Sequence, residues 1–96
     1  MKSIPLRQWG PGPYFYAGSL VVGNLAALYA AEFADDDPSD DEESHVFKLD
    51  GGDVVMLFRG PVYEVGTYAL MAMIDDSARI LTEFVAESSG LDPLVV

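Results

Sequence analysis

Apolar and polar residues alternate most clearly over residues 45–59, which read HVFKLD, two glycines and DVVMLFR. A glycine pair between two runs rich in β-branched and aromatic residues predicts a β-hairpin with a two-residue turn. Because side chains alternate along a strand, Phe47 and Leu49 are expected to face the core while Val46 faces outward. Residues 54–58 are apolar throughout, which is typical of a central strand buried on both faces.

A second pattern, at helical spacing, covers residues 67–88 and predicts one long C-terminal helix, with Gly90 in the position that favours glycine after a helix end. An alternative divides this segment into a strand over residues 68–74 and a shorter helix that Asp76 caps. The apolar stripe of the single helix consists of Leu70, Met73, Ile74, Ser77, Leu81, Phe84, Val85 and Ser88.

Proline and glycine dominate residues 1–13, which predicts an extended arm or loop because each proline fixes φ and lacks an amide donor. Residues 14–17, YFYA, have strand propensity and predict a short strand. A helix follows, and either Ser19 or Asn24 is a suitable cap for its first turn. Its apolar face consists of Leu25, Leu28, Tyr29 and Phe33.

These elements predict a small α+β fold, a single domain spanning residues 1–96. We expect an antiparallel β-hairpin, extended by residues 62–65 to a three-stranded sheet and packed by a long C-terminal helix and a shorter N-terminal helix. The apolar tail at residues 91–96, LDPLVV, is expected to pack as an edge strand or against a partner. Unpaired sheet edges also make a homodimer plausible.

The longest uncharged stretch lies between Arg7 and Glu32, and residues 14–31 within it have the length of a membrane span. Small and polar residues lower its hydrophobicity, so we expect a buried element of a soluble domain and no membrane span. The N-terminus has no continuous apolar stretch of the kind a secretion signal needs, which favours a cytoplasmic location. The residues that lower the hydrophobicity are Gly18, Ser19, Gly23 and Asn24.

Charge is distributed very unevenly along the chain. The net charge is −11, from 16 acidic and five basic residues, and half of the acids lie in residues 32–43, EFADDDPSDDEE, which contain no Lys or Arg. Outside this acidic run, eight acids face the five bases. Acids at a helix C-terminus oppose its dipole, and Pro38 cannot continue a helix, so residues 35–44 are predicted to be a solvated loop.

An acidic run has three interpretations: a solvated loop that promotes solubility, adaptation to high salt, or a functional anionic surface. Adaptation to salt spreads acids over a whole surface, which does not fit the nearly balanced remainder of this chain. Eight carboxylates in a short segment approach the charge density of a nucleic-acid backbone and so compete for basic grooves. Electrostatic steering also makes such binding fast and sensitive to salt.

The anionic surface predicts a small acidic inhibitor that occupies the basic, nucleic-acid-binding surface of a partner protein and touches no nucleic acid itself. Phage anti-defence proteins of the anti-CRISPR type and immunity proteins against nuclease toxins share this physics, a likeness of charge and size alone. The alternative is a structural module that forms a homo-oligomer, in which the acidic loop is only a solvated linker.

The candidate partner-binding residues are seven carboxylates and one aromatic residue. Each carboxylate would pair with Lys or Arg on the partner, and an aromatic residue in a proline-rich arm is a candidate contact. Neutralising the last four of the carboxylates is expected to abolish binding and leave folding intact. The residues are Asp35, Asp36, Asp37, Asp40, Asp41, Glu42, Glu43 and Trp9.

Residues typical of catalysis or metal binding are scarce. The absence of Cys excludes disulfides and zinc sites with thiolate ligands. The acidic run lacks the glycine that a calcium-binding EF-hand loop needs at its sixth position. His45, the single histidine, is expected to begin a strand with no special role; a pH sensor is the alternative. We therefore predict a protein that is not an enzyme and has no metal and no cofactor.

Overall fold

The computed structural model describes residues 1–31 and 42–96. Within them, six strands form one antiparallel sheet in the order β1-β3-β4-β5-β2-β6, accompanied by two α-helices. The predicted α+β class is confirmed, with a sheet of six strands where three were expected. In chain order the elements are β1 (Lys2–Ile4), a 3-10 turn (Leu6–Gln8), β2 (Phe15–Val22), α1 (Leu25–Tyr29), β3 (Glu43–Lys48), β4 (Val54–Arg59), β5 (Thr67–Ala72), α2 (Ser77–Glu87), a second 3-10 turn (Ser89–Leu91) and β6 (Pro93–Val95).

The predicted hairpin is strands β3 and β4, which pair with Phe47 opposite Val55. Its turn is one residue longer than the glycine pair, because the Leu49 amide donates to the Asp53 carbonyl oxygen at 2.8 Å and closes a three-residue loop. Gly52 has φ +100°, a conformation that only glycine adopts without steric cost. This arrangement is typical of a turn followed by a left-handed bulge residue.

The inner face of the sheet carries the hydrophobic core. Strand alternation places the apolar residues of four neighbouring strands on this face, and α2 packs across β2 and β5. Phe84 of α2 meets Phe47 edge to face with ring centroids 6.1 Å apart. The fully buried core residues are Leu20, Leu28, Val55, Leu57, Tyr68, Leu70, Ala72, Ile80 and Phe84.

The first half of the chain contains a longer strand and a shorter helix than predicted. Ser19 lies inside β2, opposite Ala69 of β5, so Asn24 caps α1 by accepting from the Ala27 amide at 3.1 Å. β-branched residues late in β2 favour the extended conformation there. Of the predicted apolar face, Phe33 lies outside the described residues. In the described part of the chain, no helix is long and apolar enough to cross a membrane.

The predicted single helix over residues 67–88 is wrong, and the alternative of a strand followed by a shorter helix is correct. Residues 68–72 are apolar at every position, so they fit the spacing of a helix face as well as that of a strand. In the structure they pair with β4 on one side and β2 on the other, which makes them a central strand. Asp76 stands at the N-cap position of α2, as that alternative predicts, but its side chain makes no capping hydrogen bond to the first turn. Its carboxylate accepts from Arg79 Nε at 2.8 Å.

The predicted strand over residues 62–65 is also wrong, because Gly60 to Gly66 form a loop of turns between β4 and β5. Gly66 has φ +93° and its carbonyl oxygen accepts from the Val22 amide at 2.8 Å. That bond lies at the end of the β2–β5 ladder, so β5 begins immediately after the loop.

The N-terminal arm covers part of the outer face of the sheet. β1 pairs with β3 so that Ile4 lies opposite Val46, and the first 3-10 turn packs against β3. Val46 lies on the outer face, as alternation predicts, but it is buried there, whereas exposure to solvent was expected. Farther along the arm, Trp9 stacks on Tyr14 with ring centroids 4.4 Å apart. The apolar tail is confirmed as an edge strand, because β6 pairs with β2.

Candidate functional site

A group of polar side chains is buried at one end of the inner face, beyond the hydrophobic core. The hairpin register places Glu43 of β3 opposite Arg59 of β4, and alternation from Phe47 puts Glu43 on the inner face. Tyr68 reaches the same point from β5, and Tyr29 reaches it from the last turn of α1. The Glu43 cluster consists of Tyr29, Glu43, His45, Arg59 and Tyr68.

Four side chains hydrogen-bond to the Glu43 carboxylate, which is 0% exposed. Arg59 approaches Oε1 with Nε at 2.8 Å and Nη2 at 2.6 Å. The Tyr68 hydroxyl donates to Oε2 at 2.6 Å, and the Tyr29 hydroxyl lies 2.9 Å from Oε1 and 3.0 Å from Oε2. With His45 as the fourth partner, the carboxylate has about as many donors as it can accept.

Electrostatics keeps Glu43 ionised and Tyr68 protonated within the cluster. Burial alone would raise the pKa of Glu43, but hydrogen bonds from Tyr68, Arg59, His45 and Tyr29 outweigh it and lower the pKa below its ordinary value. Burial also raises the pKa of Tyr68, and the neighbouring carboxylate adds to this effect, so the phenol remains a donor. The cluster therefore holds an ionised Glu43 and a charged Arg59 that compensate one another.

His45 is a buried member of the cluster, whereas the sequence led us to expect only a strand-start residue. Its Nε2 lies 3.2 Å from Glu43 Oε2, and its ring contacts the rings of Tyr29 and Tyr68. An ionised carboxylate can only accept, so Nε2 carries the proton that points at Glu43. Within the described residues, His45 Nδ1 is buried without a hydrogen-bond partner.

The Glu43 cluster joins a residue just before the acidic run to the last residue of the run. Tyr29 precedes the run, Glu43 is its last residue, and the two are 14 positions apart in the chain. Their hydrogen bonds, together with those to Arg59 and Tyr68, hold both flanks of the segment against the sheet. The residue three positions before the acidic run and the last residue of the run are thus held at one point of the domain.

The structure changes the interpretation of one predicted binding residue. Glu43 is saturated by internal donors and lies inside the domain, so it does not offer its carboxylate to a partner. Neutralising it would also disturb folding, contrary to the expectation for the combined variant. Glu42 is exposed, and Trp9 is half-buried in its stack with Tyr14. The other predicted residues, Asp35, Asp36, Asp37, Asp40 and Asp41, lie outside the described residues.

Many acids elsewhere in the domain have cationic partners. Arg79 of α2 lies 2.9 Å from Asp53, 2.8 Å from Asp76 and 3.1 Å from Glu83. The N-terminal ammonium group lies 2.8 Å from an Asp50 oxygen and also pairs with a carboxylate of α2. These contacts connect the hairpin turn to α2 and neutralise part of the charge outside the acidic run.

The described residues, 1–31 and 42–96, contain no group of three or more potential ligands arranged to hold a metal ion. No pocket is found in the same part of the chain. Chemically, the Glu43 cluster is an internal anchor whose polar groups largely satisfy one another.

Sequence reasoning missed the Glu43 cluster, although part of the signal was present. The alternation that places Phe47 and Leu49 inside also places Glu43 and His45 inside when it is followed toward the N-terminus. A buried acid then requires a cation, and Arg59 stands opposite across the hairpin. The acidic neighbours of Glu43 concealed this, because they suggested that it belongs to a solvated loop.

No protein-family model, no curated protein and no solved structure matches this chain. Any function must therefore be argued from the arrangement of its own residues.

Proposed function

We propose that this protein is a small acidic inhibitor that occupies a basic, nucleic-acid-binding surface of a partner protein, in the cytoplasm. The observation that supports this most directly is the hydrogen-bonded pair Tyr29 and Glu43, which anchors both ends of the acidic run at one point. The inhibitor would not bind nucleic acid itself, since its net charge is −11.

Arg59 neutralises Glu43. The rest of the acidic run, residues 32–42, contains seven carboxylates and no Lys or Arg. A chain of 14 residue steps whose ends meet can reach at most about 25 Å from its anchor. Seven charges divided over that maximum reach average one per roughly 3.5 Å, close to the ~3.4 Å between phosphates along one strand of a nucleic acid. Joining the ends thus raises the charge density to a value at which competition with nucleic acid is expected.

The proposed partner contacts are carboxylates of the acidic run, each facing a Lys or Arg that otherwise holds a phosphate. Glu42, exposed next to the anchor, is the described member of this set. The others are Glu32, Asp35, Asp36, Asp37, Asp40 and Asp41. Trp9, on the arm, is proposed as an apolar contact beside them.

The test uses two variants with the same change in net charge. D40N/D41N/E42Q removes three charges from the acidic run, whereas E64Q/D75N/D92N removes three from exposed positions elsewhere. The immobilised wild-type chain is used to capture proteins from a cell lysate, and the bound proteins are then challenged with duplex DNA. We expect basic proteins to be captured and DNA to release them.

Affinity for a captured protein, measured against salt concentration, then separates the variants. The acidic-run variant should lose affinity roughly tenfold or more and show a shallower salt dependence, because exposed ion pairs contribute up to about 1 kcal/mol each. Equal losses in the two variants, or capture that DNA does not reverse, would contradict the proposal. Thermal unfolding serves as the control and checks that both variants fold as the wild type does.

A further inference from the structure

The β6 edge of the sheet is apolar and open. β6 is the last strand in the sheet order, with β2 on one side. Its residues Leu94 and Val95 are 65% and 47% exposed, and Val96, which continues the pairing with β2, is 68% exposed. No charged side chain occurs in residues 93–96. An uncharged, apolar edge strand is a template for pairing with another strand.

The hydrogen-bond register shows which backbone groups face that open edge. The Val96 amide donates to the Ser19 carbonyl oxygen at 3.1 Å, so Val96 and Ser19 form a hydrogen-bonded pair in the antiparallel ladder. Since such pairs alternate with pairs that do not bond, the amide and carbonyl groups of Val95 point away from β2. Pro93 has no amide hydrogen to present, so outward pairing centres on Val95.

The opposite edge, β1, differs in charge. Lys2 on this strand lies opposite Lys48 of β3, and the N-terminal ammonium group stands immediately before it. Positive charges along an edge oppose pairing with an identical edge. The two edges are therefore unequal, and of the two only the β6 edge has no charged side chain.

We propose that β6 pairs antiparallel with β6 of a second copy of this chain. Val95 then lies opposite the partner subunit's Val95 and forms two backbone hydrogen bonds with it. In that register Leu94 lies beside the partner subunit's Val96, so apolar side chains cover one another and no charged side chains are opposed. Because the same strand is used on both sides, the contact closes on a two-fold axis and stops at a dimer.

Charge gives this dimer a distinctive dependence on salt. Each copy carries a net charge of −11, so two copies repel one another, and screening by salt weakens that repulsion. Self-association should thus strengthen as salt rises. Binding of the acidic run to a basic protein should weaken under the same change, so failure of one proposal is distinguishable from failure of the other.

The test compares two double variants with the same change in charge and a similar loss of apolar surface. L94K/V96K places lysines opposite one another across the proposed contact, where like charges destabilise the pairing. V62K/V65K makes the same change in the loop between β4 and β5, where Val62 is 90% and Val65 66% exposed. Both variants alter exposed side chains, and circular dichroism checks that each one folds.

Sedimentation velocity at low and high salt gives the dissociation constants. We expect a wild-type dimer that tightens with salt, a rise in the constant of roughly tenfold or more for L94K/V96K, and little change for V62K/V65K. Hydrogen exchange gives a second readout, because the outward amide of Val95 gains protection only in the dimer. A wild-type monomer at every salt concentration, equal effects of the two variants, or an unprotected Val95 amide in a dimer overturns the proposal.

If L94K/V96K does not fold, V95P decides the same question. It removes the outward amide, which the pairing with β2 does not use, and edge strands tolerate proline at such a position. Loss of the dimer in this variant supports the proposal, and an intact dimer overturns it.

Discussion

At the scale of single residues, Glu43 shows how position in a fold overrides composition. It ends a run of eight acidic residues, yet its carboxylate is buried and accepts hydrogen bonds from Tyr29, Arg59 and Tyr68. Burying one charge without its partner is expensive, whereas a compensated pair with satisfied hydrogen bonds is tolerated. The stability of this domain is therefore expected to depend strongly on this side chain.

We predict that Glu43→Gln lowers the free energy of unfolding by about 3–5 kcal/mol, because buried Arg59 loses the carboxylate that compensates its charge at 2.6 Å. Urea denaturation measures the loss. The double variant E43Q/R59M should recover part of it, since both charges of the buried pair are then removed. A loss below about 1 kcal/mol for E43Q, the level of an exposed pair, would show that Glu43 is not an internal anchor.

Acid stability should also depend on Glu43. Its folded pKa lies below its ordinary value of 4.5, so its contribution is fully present above that value and is lost as pH falls through the folded pKa. Unfolding by urea at a series of acidic pH values measures this effect. The difference between wild type and E43Q should shrink steadily below about pH 4.5; a difference that does not change with pH would contradict the expected linkage.

At the scale of elements, an irregularity in β2 lets α2 lie close to the sheet. The register between β2 and β5 shifts between Tyr16 and Gly18, which marks a β-bulge. A Cβ built on Gly18 would come within 3.1 Å of Leu81 on α2. Gly18 also has φ +155°, so a side chain at this position meets both a crowded contact and an unfavourable backbone conformation.

We therefore predict that Gly18→Ala destabilises the domain by about 1–3 kcal/mol, the usual range for overpacking at a close contact. Gly51→Ala is the matched control, because a Cβ at Gly51 has no atom within 4 Å. Urea denaturation of the two variants gives the comparison. If both variants have the same stability, α2 does not depend on close approach at Gly18.

At the scale of the whole molecule, the acidic residues fall into two groups, one with cationic partners nearby and one concentrated in the acidic run. Acids near α2 and the hairpin turn pair with Arg79 and with the N-terminal ammonium group. In the acidic run, seven carboxylates remain once Glu43 is assigned to Arg59, with no base between them. Salt therefore acts in opposite directions on the two proposed contacts, weakening an acidic-run complex and strengthening the β6 dimer.

The sequence predicted those parts of the fold that depend on neighbouring residues. The hairpin follows from alternation and a glycine turn, and the cap at Asn24 follows from a side chain that reaches its own first turn. The tail was expected as an edge strand because an apolar segment is costly in water. For residues 67–88, the local pattern did not decide between one long helix and a strand followed by a helix. The reason is that residues 68–72 are all apolar and fit the spacing of either element.

Sequence by itself determined where the charge lies, that the chain folds as a small α+β domain, and that a hairpin occupies residues 45–59. Tertiary structure alone decided that Tyr68 lies in a strand and that Glu43 belongs inside. The burial of Glu43 depends on partners 14–25 positions away in the chain, and the strand at Tyr68 depends on pairing with β2 and β4. Local preferences cannot encode such contacts, because burial in a shared interior decides them, and there an ion pair and its hydrogen bonds outweigh the solvation that an isolated acid prefers.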